Sequence, residues 1–264
     1  MSGTTDDGGD ADLPATDPEF LRLRAQTYDL LSACLDGDVG ALVEAAENGY
    51  FVQLSAAFPV DVDPECLAEY DEEALEVGYE NLFAVPGPHY VPPFASTHAA
   101  DAPSSDDTTA NYESDSAYHA GDAGELLGKP AAELAELYAA VGFEPTRGDG
   151  IPDHVAAAFE FLGALAQAEA DRRTAGNIEE AEALADLQRR TLDRLGWLDE
   201  FHDRVREADS AEGAFARVVG IGRTFAAWDA RSGIVAGQTD KRDGDSQEAE
   251  PTDDQRETTS NSNS

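Results

Sequence analysis

Apolar residues recur every three or four positions along most of the chain, which is the spacing of one buried face of an α-helix. Segments with this spacing are TDPEFLRLRAQTYDLLSACL, the stretch from Val39 to Phe58, PECLAEYDEEALEVGYENLF, KPAAELAELYAAVGF, IPDHVAAAFEFLGALAQAEADRR, IEEAEALADLQRRTLDRL and AEGAFARVVGIGRTFAAW. No stretch alternates convincingly between apolar and polar residues, as a half-buried strand would. The pattern therefore predicts an all-α fold, a single-domain bundle of roughly six to eight helices.

Local signals predict where several of these helices begin or break. Thr16 is expected to cap the first helix, with Glu19 reaching back to it and Pro18 in the first turn. Gly49 interrupts the second pattern, and Pro64 opens the third. The expected core face of KPAAELAELYAAVGF consists of Leu134, Leu137, Tyr138 and Val141. The expected core face of the next helix consists of Val155, Phe159, Leu162 and Leu165 or Ala166.

Three polar stretches without apolar periodicity mark the limits of the helical domain. Residues 1–15 and 236–264 are acidic and rich in Gly, Ser and Thr, which predicts disordered tails around a helical domain at 16–235. Residues 100–124 form a third such stretch inside the chain and are predicted to be an acidic surface loop, which is either functional or a tolerated insertion.

The segment FAVPGPHYVPPFASTHA interrupts the helical pattern with four prolines and several rings. Proline fixes φ and removes an amide donor, so this segment is predicted to be a stiff crossover loop rather than a helix or a central strand. Two interpretations remain open. In one, Tyr90 and Phe94 form a rigid rim of a peptide-binding groove; in the other, the rings pack on the core.

The net charge excludes several classes of partner. With 55 acidic and 17 basic residues, the formal net charge of −38 should repel nucleic acids and anionic lipid. Acidic residues spread over every helix are typical of proteins that work in concentrated salt, as in a haloarchaeal-type cytoplasm. No apolar run is long enough to span a membrane, and the acidic N-terminus is not a secretory or twin-arginine signal. We therefore expect a cytoplasmic protein with no membrane insertion.

The cysteines and histidines suggest no strong catalytic or metal site. Cys34 and Cys66 stand in apolar helical patterns and are expected to be buried thiols. No nucleophile, phosphate-binding or zinc-peptidase motif is present. The alternative that remains is a small metal-dependent hydrolase, although the spacing of its ligands would match no known pattern. Its candidate ligands are His89, His98 and His154, with His119 and Asp153 as further candidates.

A second segment of interest is GDGIPDHVAAAFEFL. Pro152 is expected to begin a helix, which places Asp153 in the first turn, where the helix dipole favours a carboxylate. Asp153 is then either a stabilising acid at a helix start or a bidentate partner for an arginine.

Together these segments resemble the TorD/DmsD/NarJ family of redox-enzyme maturation chaperones. The resemblance rests on YENLFAVPGPHYVPPFAS, on PDHVAAAFEFLGAL and on LQRRTLDRLGWLDEFHDRV, in that order and spacing, and covers about residues 18 to 230. It implies an all-α cytoplasmic chaperone that is not an enzyme and needs no cofactor of its own. Such a chaperone binds the N-terminal, twin-arginine type leader of a molybdopterin oxidoreductase catalytic subunit of the DMSO-reductase family. It holds that subunit for cofactor insertion before export, and it is a monomer or a homodimer.

The resemblance also implies which residues form the binding region: Tyr79, Phe83, Pro86, Pro93, Phe94, Ser96, Pro152, Asp153 and His154. We expect Asp153 to pair with a leader arginine, with Glu80 as a second candidate. Tyr90, Phe94 and Phe83 are expected to line the apolar part. Besides the metal hydrolase, the other alternative is an adaptor subunit that stays in the mature reductase complex.

Overall fold

The computed structural model describes residues 16–57, 67, 70–98, 128–209 and 213–233, and within these ranges the prediction of an all-α fold is confirmed. The helices of this part of the chain are α1 (Pro18–Leu35), α2 (Val39–Glu47), α3 (Tyr50–Ala57), α4 (Glu72–Tyr79), α5 (Gly128–Ala139), α6 (Val155–Thr174), α7 (Ile178–Leu192), α8 (Leu198–Ala208) and α9 (Ala214–Trp228). Two π turns, Glu80–Ala84 and Asp229–Gly233, continue α4 and α9. The expected tails, the acidic loop at 100–124, Pro64, Cys66 and His119 lie outside the described residues.

The N-cap of α1 differs from the prediction. Asp17, not Thr16, caps the helix, and its carboxylate accepts hydrogen bonds from the backbone N–H groups of Glu19 (2.8 Å) and Phe20 (3.4 Å). The prediction was wrong by one residue because two good capping residues stand side by side. Pro18 occupies the first helical position and keeps Asp17 extended, which aims the Asp17 side chain at the first turn.

The expected break at Gly49 is confirmed. Gly49 has φ +67° between α2 and α3, a left-handed conformation that other residues rarely adopt. Asp71 caps α4 by accepting a hydrogen bond from Ala74 N–H at 2.7 Å. Short acidic side chains, Asp17, Asp38 and Asp71, thus cap the beginnings of α1, α2 and α4.

The core forms around α1 and α6, which pack along each other, while α7 covers another side of α6 and α8 pairs with α9. Gly163 on α6 allows the close approach, because a Cβ there would lie 3.2 Å from the Ala25 carbonyl oxygen of α1. The predicted core face of α6 is confirmed, since Val155, Phe159 and Leu162 are all buried. No helix of the described ranges is long and apolar enough to cross a membrane.

Helix α5 packs outside this core in a cluster of its own. Its Leu134, Leu137 and Tyr138 contact Phe161 and Leu165 of α6, as expected. Val141, predicted on the same face, is 48% exposed. That part of the prediction is wrong because α5 ends at Ala139 and the chain turns at Gly142, whose φ is +67°.

A buried polar network crosses the centre of the bundle. The Arg24 guanidinium of α1 donates to the Asp229 carboxylate at 2.7 Å and to the Gln188 side-chain oxygen at 2.9 Å. The Tyr28 hydroxyl donates to the same Asp229 oxygen at 2.7 Å. Gln188 in turn donates to Glu169 at 2.7 Å. The network ties α1, α6 and α7 to the π turn that follows α9.

Candidate functional site

The two segments singled out in the sequence meet in the structure. Phe94 and His154 form an isolated antiparallel β-bridge. Ala95 N–H donates to the Asp153 carbonyl and Val155 N–H donates to the Pro93 carbonyl, both at 2.9 Å. The Phe94 ring also lies edge-on to the His154 ring, with centroids 5.2 Å apart. The proline-rich loop is therefore clamped to the start of α6, and most of the predicted binding residues are brought into one region.

Asp153 lies beneath this clamp and not in the first turn of α6. The helix begins at Val155, so the predicted start at Pro152 is wrong. The reason is tertiary: the backbone groups of residues 153 and 155 pair with the proline-rich loop, and His154 is extended between them, with φ −68° and ψ 137°. Pro152 and Asp153 instead lie in a turn, in which His154 N–H donates to the Ile151 carbonyl at 3.1 Å.

The Asp153 carboxylate is completely buried. One oxygen accepts a hydrogen bond from Ser96 N–H at 3.0 Å, and the other has no partner in the structure. Burial raises the pKa of Asp153 above its ordinary value, and the bond from Ser96 opposes that rise. An arginine from a bound peptide can reach this carboxylate only if the loop moves, so its role as an arginine partner stays a prediction.

His154 is the N-cap of α6. Its ring Nδ1 accepts a hydrogen bond from Ala156 N–H at 3.1 Å, and the ring is almost entirely buried. Burial lowers the pKa of His154 to about 4, against a raising contribution from Asp149. A neutral imidazole suits this position because only an unprotonated Nδ1 can accept the capping hydrogen bond.

The His154 ring packs against a turn that the sequence analysis did not identify. Gly148, Asp149 and Gly150 all have positive φ, between 54° and 73°. A Cβ on Gly148 would lie 2.5 Å from the His154 ring, so only glycine fits. Gly148 N–H also donates to the Asp36 carboxylate at 2.7 Å, which ties the turn to the end of α1. The Gly-Asp-Gly sequence is the signal that could have revealed this turn.

Tyr79 and Phe83 belong to an aromatic cluster on the inner side of α4. The Phe83 ring centroid lies 5.4 Å from Tyr79, 5.9 Å from Phe201 and 5.6 Å from Phe215, and Phe83 is buried. Tyr79 is half-buried, and burial raises the pKa of its hydroxyl to about 12. In this conformation Phe83 does not line an open surface, and its contribution to binding stays a prediction.

The remaining predicted residues lie nearer to solvent. Glu80 and Pro86 are exposed, while Tyr90, Phe94, Ser96 and Pro152 are partly exposed and Pro93 is buried. Besides its clamp to α6, the proline-rich loop is held to the π turn by a hydrogen bond from Val91 N–H to the Leu82 carbonyl at 2.7 Å. Glu80 and Pro86 are therefore the most accessible of the predicted residues, and Tyr90, Phe94, Ser96 and Pro152 are accessible in part.

His98 anchors the far end of the loop to α8. Its Nε2 lies 2.7 Å from the Pro92 carbonyl oxygen, and its ring stacks on Trp197 with centroids 5.7 Å apart. The Arg204 guanidinium donates to His98 Nδ1 at 3.3 Å and to the Thr97 carbonyl at 3.4 Å. Burial lowers the pKa of His98 to about 4. The sequence analysis missed this anchor because Trp197 and Arg204 are distant in the chain.

Within the described residues, the candidate ligands His89, His98 and His154 do not form a metal-binding group. His98 and His154 each use ring nitrogens to hold backbone in place, and His89 is exposed on the loop. Among the residues that the structure describes, no three histidine, cysteine or carboxylate side chains are grouped so that they could hold a metal ion.

The His154 cap gives a testable pH dependence. An unfolded histidine titrates near pH 6.5, whereas the folded pKa is about 4. Acid therefore protonates the unfolded chain first, and the stability that neutral His154 contributes is complete above about pH 6.5 and lost as the pH falls toward 4.

His154→Asn keeps a capping oxygen but cannot titrate. We expect wild type to lose up to about 3 kcal/mol more stability than this variant between pH 7 and 4. Urea unfolding at several pH values in this range measures the free energy of unfolding of both proteins. The same pH dependence in wild type and in His154→Asn would contradict the prediction.

Comparison with known proteins identifies the family. The profile of the nitrate reductase delta subunit family matches residues 35–203, a range that includes both clamped segments and more than half of the chain. Comparison with the curated proteins and with the solved structures gave no significant match. The chain therefore belongs to the nitrate reductase delta subunit family, the NarJ/TorD type of maturation chaperone, as its motifs predicted.

Proposed function

We propose that this protein is a cytoplasmic chaperone that binds the N-terminal, twin-arginine type leader of a molybdopterin oxidoreductase catalytic subunit. It holds that subunit until the cofactor is inserted. The observation that carries the proposal is the clamp between the proline-rich loop and the start of α6, which joins the two family motifs in one region. Membership of a maturation-chaperone family supports the same function.

The predicted residues divide into two groups under this proposal. Pro93, Ser96, Asp153 and His154 hold the loop on α6, as their burial and hydrogen bonds indicate. The leader contacts the outer surface of the same loop, where Pro86 is exposed and Tyr90 is partly exposed. Four prolines restrict the loop before binding, so little conformational entropy remains to be lost when the leader docks.

The arginine partner of the leader is Glu80 in this proposal, because the carboxylate of Asp153 is buried while Glu80 is exposed. At about 1 M salt the Debye length is roughly 3 Å, so the net charge of the chaperone attracts a basic leader only at contact distance. Affinity must then come from contact ion pairs and from burial of the apolar part of the leader.

Calorimetric titration with a twin-arginine leader peptide in about 2 M KCl tests this function. We expect micromolar binding by wild type and at least about tenfold weaker binding by Tyr90→Ala, since the variant loses a rigid ring from the surface. The matched control is Tyr50→Ala on α3, another half-buried tyrosine that lies outside the predicted region.

The control and the alternatives give distinct outcomes. Equal weakening by Tyr50→Ala and Tyr90→Ala would assign the effect to stability and not to contact. Absence of binding by wild type would contradict leader binding, and co-elution with a cofactor-loaded reductase would then favour the adaptor alternative.

A further inference from the structure

The outer face of α4 and of the π turn that follows it overlaps the predicted binding region only at Glu80. Val77 and Val85 are the most exposed large apolar residues of the described part of the chain, at 54% and 56%. Glu76, Glu80 and Asn81 are exposed beside them. The inner side of the same unit is buried through Leu75, Leu82 and Phe83. Leu82 and Phe83 fix the orientation of the π turn, so the outer face is presented by a rigid support.

The π turn gives this unit a bond pattern that an α-helix lacks. Val85 N–H donates to the Glu80 carbonyl, five residues back, at 2.8 Å, so the turn contains one residue more than an α-helical turn. Val85 ends the turn with an extended backbone, φ −109° and ψ 117°. The exposed side chains of Val77, Asn81 and Val85 are spaced four residues apart along the unit.

Two carboxylates on this unit repel each other. Glu76 lies in α4, and Glu80 follows four residues later in the π turn. Like charges at this spacing repel, and the negative charge of Glu80, near the end of the helical unit, also opposes the helix dipole. Glu72 and Glu73, in contrast, lie in the first turn, where the dipole favours them. Within the described ranges, no basic side chain pairs with Glu76 or Glu80.

The charge of this part of the sequence favours a basic partner. From residue 25 to residue 128 the sequence contains no lysine or arginine. Acidic residues near a helix C-terminus also occur in α2, at Glu44 and Glu47, so charge placement alone does not mark a site. What distinguishes α4 is the pair of exposed valines, Val77 and Val85, on the same unit as its carboxylates. The combination fits a segment that carries adjacent cations followed by apolar side chains.

We infer that the basic end of the leader docks on this outer face, with Glu76 and Glu80 contacting its two arginines and Val77 and Val85 contacting the apolar residues that follow. The inference rests on the proposed leader-binding function and extends it from Glu80 to Glu76, Val77 and Val85, which lie outside the predicted region. It gives the leader a direction, because the arginines lie beside α4 and the apolar part continues toward Pro86 and Tyr90.

A charge-exchange experiment tests the inference. The probe is a synthetic peptide of about 20 residues with two adjacent arginines before an apolar stretch. A comparison peptide has the same sequence with two glutamates in place of the arginines. Binding of both is measured at about 0.2 M and 1 M KCl. We expect Glu76→Lys/Glu80→Lys to bind the arginine peptide at least about tenfold more weakly at both salt concentrations, and to bind the glutamate peptide more tightly than wild type does.

The matched control carries the same change of charge on α2, as Glu44→Lys/Glu47→Lys. Because long-range attraction is screened at about 1 M salt, this control should bind the arginine peptide nearly as wild type does at that concentration. If the charge-reversed variant does not fold, the neutral variant Glu76→Gln/Glu80→Gln replaces it. We expect this variant also to bind the arginine peptide more weakly than wild type does. Val77→Ala/Val85→Ala should weaken both peptides, since it removes apolar contact and no charge.

Two results would overturn the inference while leaving the proposed function intact: full affinity of the reversed pair for the arginine peptide, or an equal loss in the α2 control at about 1 M KCl. Failure of wild type to bind any twin-arginine peptide would contradict the proposed function itself, and the inference with it.

Discussion

Replacing Asp229 with alanine is expected to lower the free energy of unfolding by about 3–5 kcal/mol. The Asp229 carboxylate is fully buried and accepts hydrogen bonds from the Arg24 guanidinium and the Tyr28 hydroxyl, both at 2.7 Å. Without it, the Arg24 guanidinium stays in the core with the neutral Gln188 side chain as a hydrogen-bond partner and Glu169 as a more distant negative charge. A buried charge that has lost its direct ion pair is costly because the interior solvates it poorly. Urea unfolding at constant salt measures the loss.

Two comparisons isolate the buried charge as the cause. Asp199→Ala removes an arginine–carboxylate pair of similar length, 2.9 Å, from the surface, where Asp199 contacts Arg223. Exposed pairs contribute about 0–1 kcal/mol, so this variant should stay close to wild type. Arg24→Met/Asp229→Leu removes both charges and should cost less than Asp229→Ala alone. A double variant that is less stable than the single one would contradict this account.

The helices could be predicted from the sequence because their cause is local. The buried face of α6 follows from the spacing of Val155, Phe159 and Leu162, and the break between α2 and α3 follows from Gly49. Each of these signals lies within a few residues of its effect. The capping error at α1 is the limiting case, since Thr16 and Asp17 both satisfy the local rule and only the geometry at Pro18 decides between them.

The start of α6 could not be predicted in this way because its cause is distant. Pro152 and Asp153 match the local signature of a helix start. The backbone of residues 153 and 155 instead pairs with Pro93 and Ala95, and Ser96, 57 residues away, holds the Asp153 carboxylate. The same holds for Arg24 and Asp229, which are 205 residues apart. Neither contact leaves a periodic or compositional trace in the sequence.

For the candidate site, the motifs could predict which segments meet, but they could not predict how the side chains are arranged. The motifs correctly indicated that the proline-rich loop and the segment from Pro152 to His154 belong together. They could not indicate which side chains face solvent, because burial is decided by the packing of α4, α6 and α8 around the loop. Asp153 and Phe83, both expected to contact a leader, are buried, whereas Val77 and Glu76 are exposed and carried no motif.

The second large effect is expected at Phe83, where Phe83→Ala should lower the free energy of unfolding by about 3–5 kcal/mol. The Phe83 ring fills the space between Tyr79, Phe201 and Phe215, with centroid distances of 5.4 to 5.9 Å. Truncation removes these ring contacts and leaves a cavity that the helices can close only in part. Urea unfolding of wild type and variant at the same salt concentration measures the loss.

The same variant separates a core role for Phe83 from the lining role that the motif suggested. If Phe83 acts through packing, the folded fraction of Phe83→Ala should bind a leader peptide with nearly wild-type affinity, once the population of unfolded chain is taken into account. Phe94→Ala tests the loop, because this half-buried ring packs against His154 and remains partly exposed. We expect it to lose less stability than Phe83→Ala and at least about tenfold in affinity. Normal stability with weak binding in Phe83→Ala would contradict the core role and support the lining role.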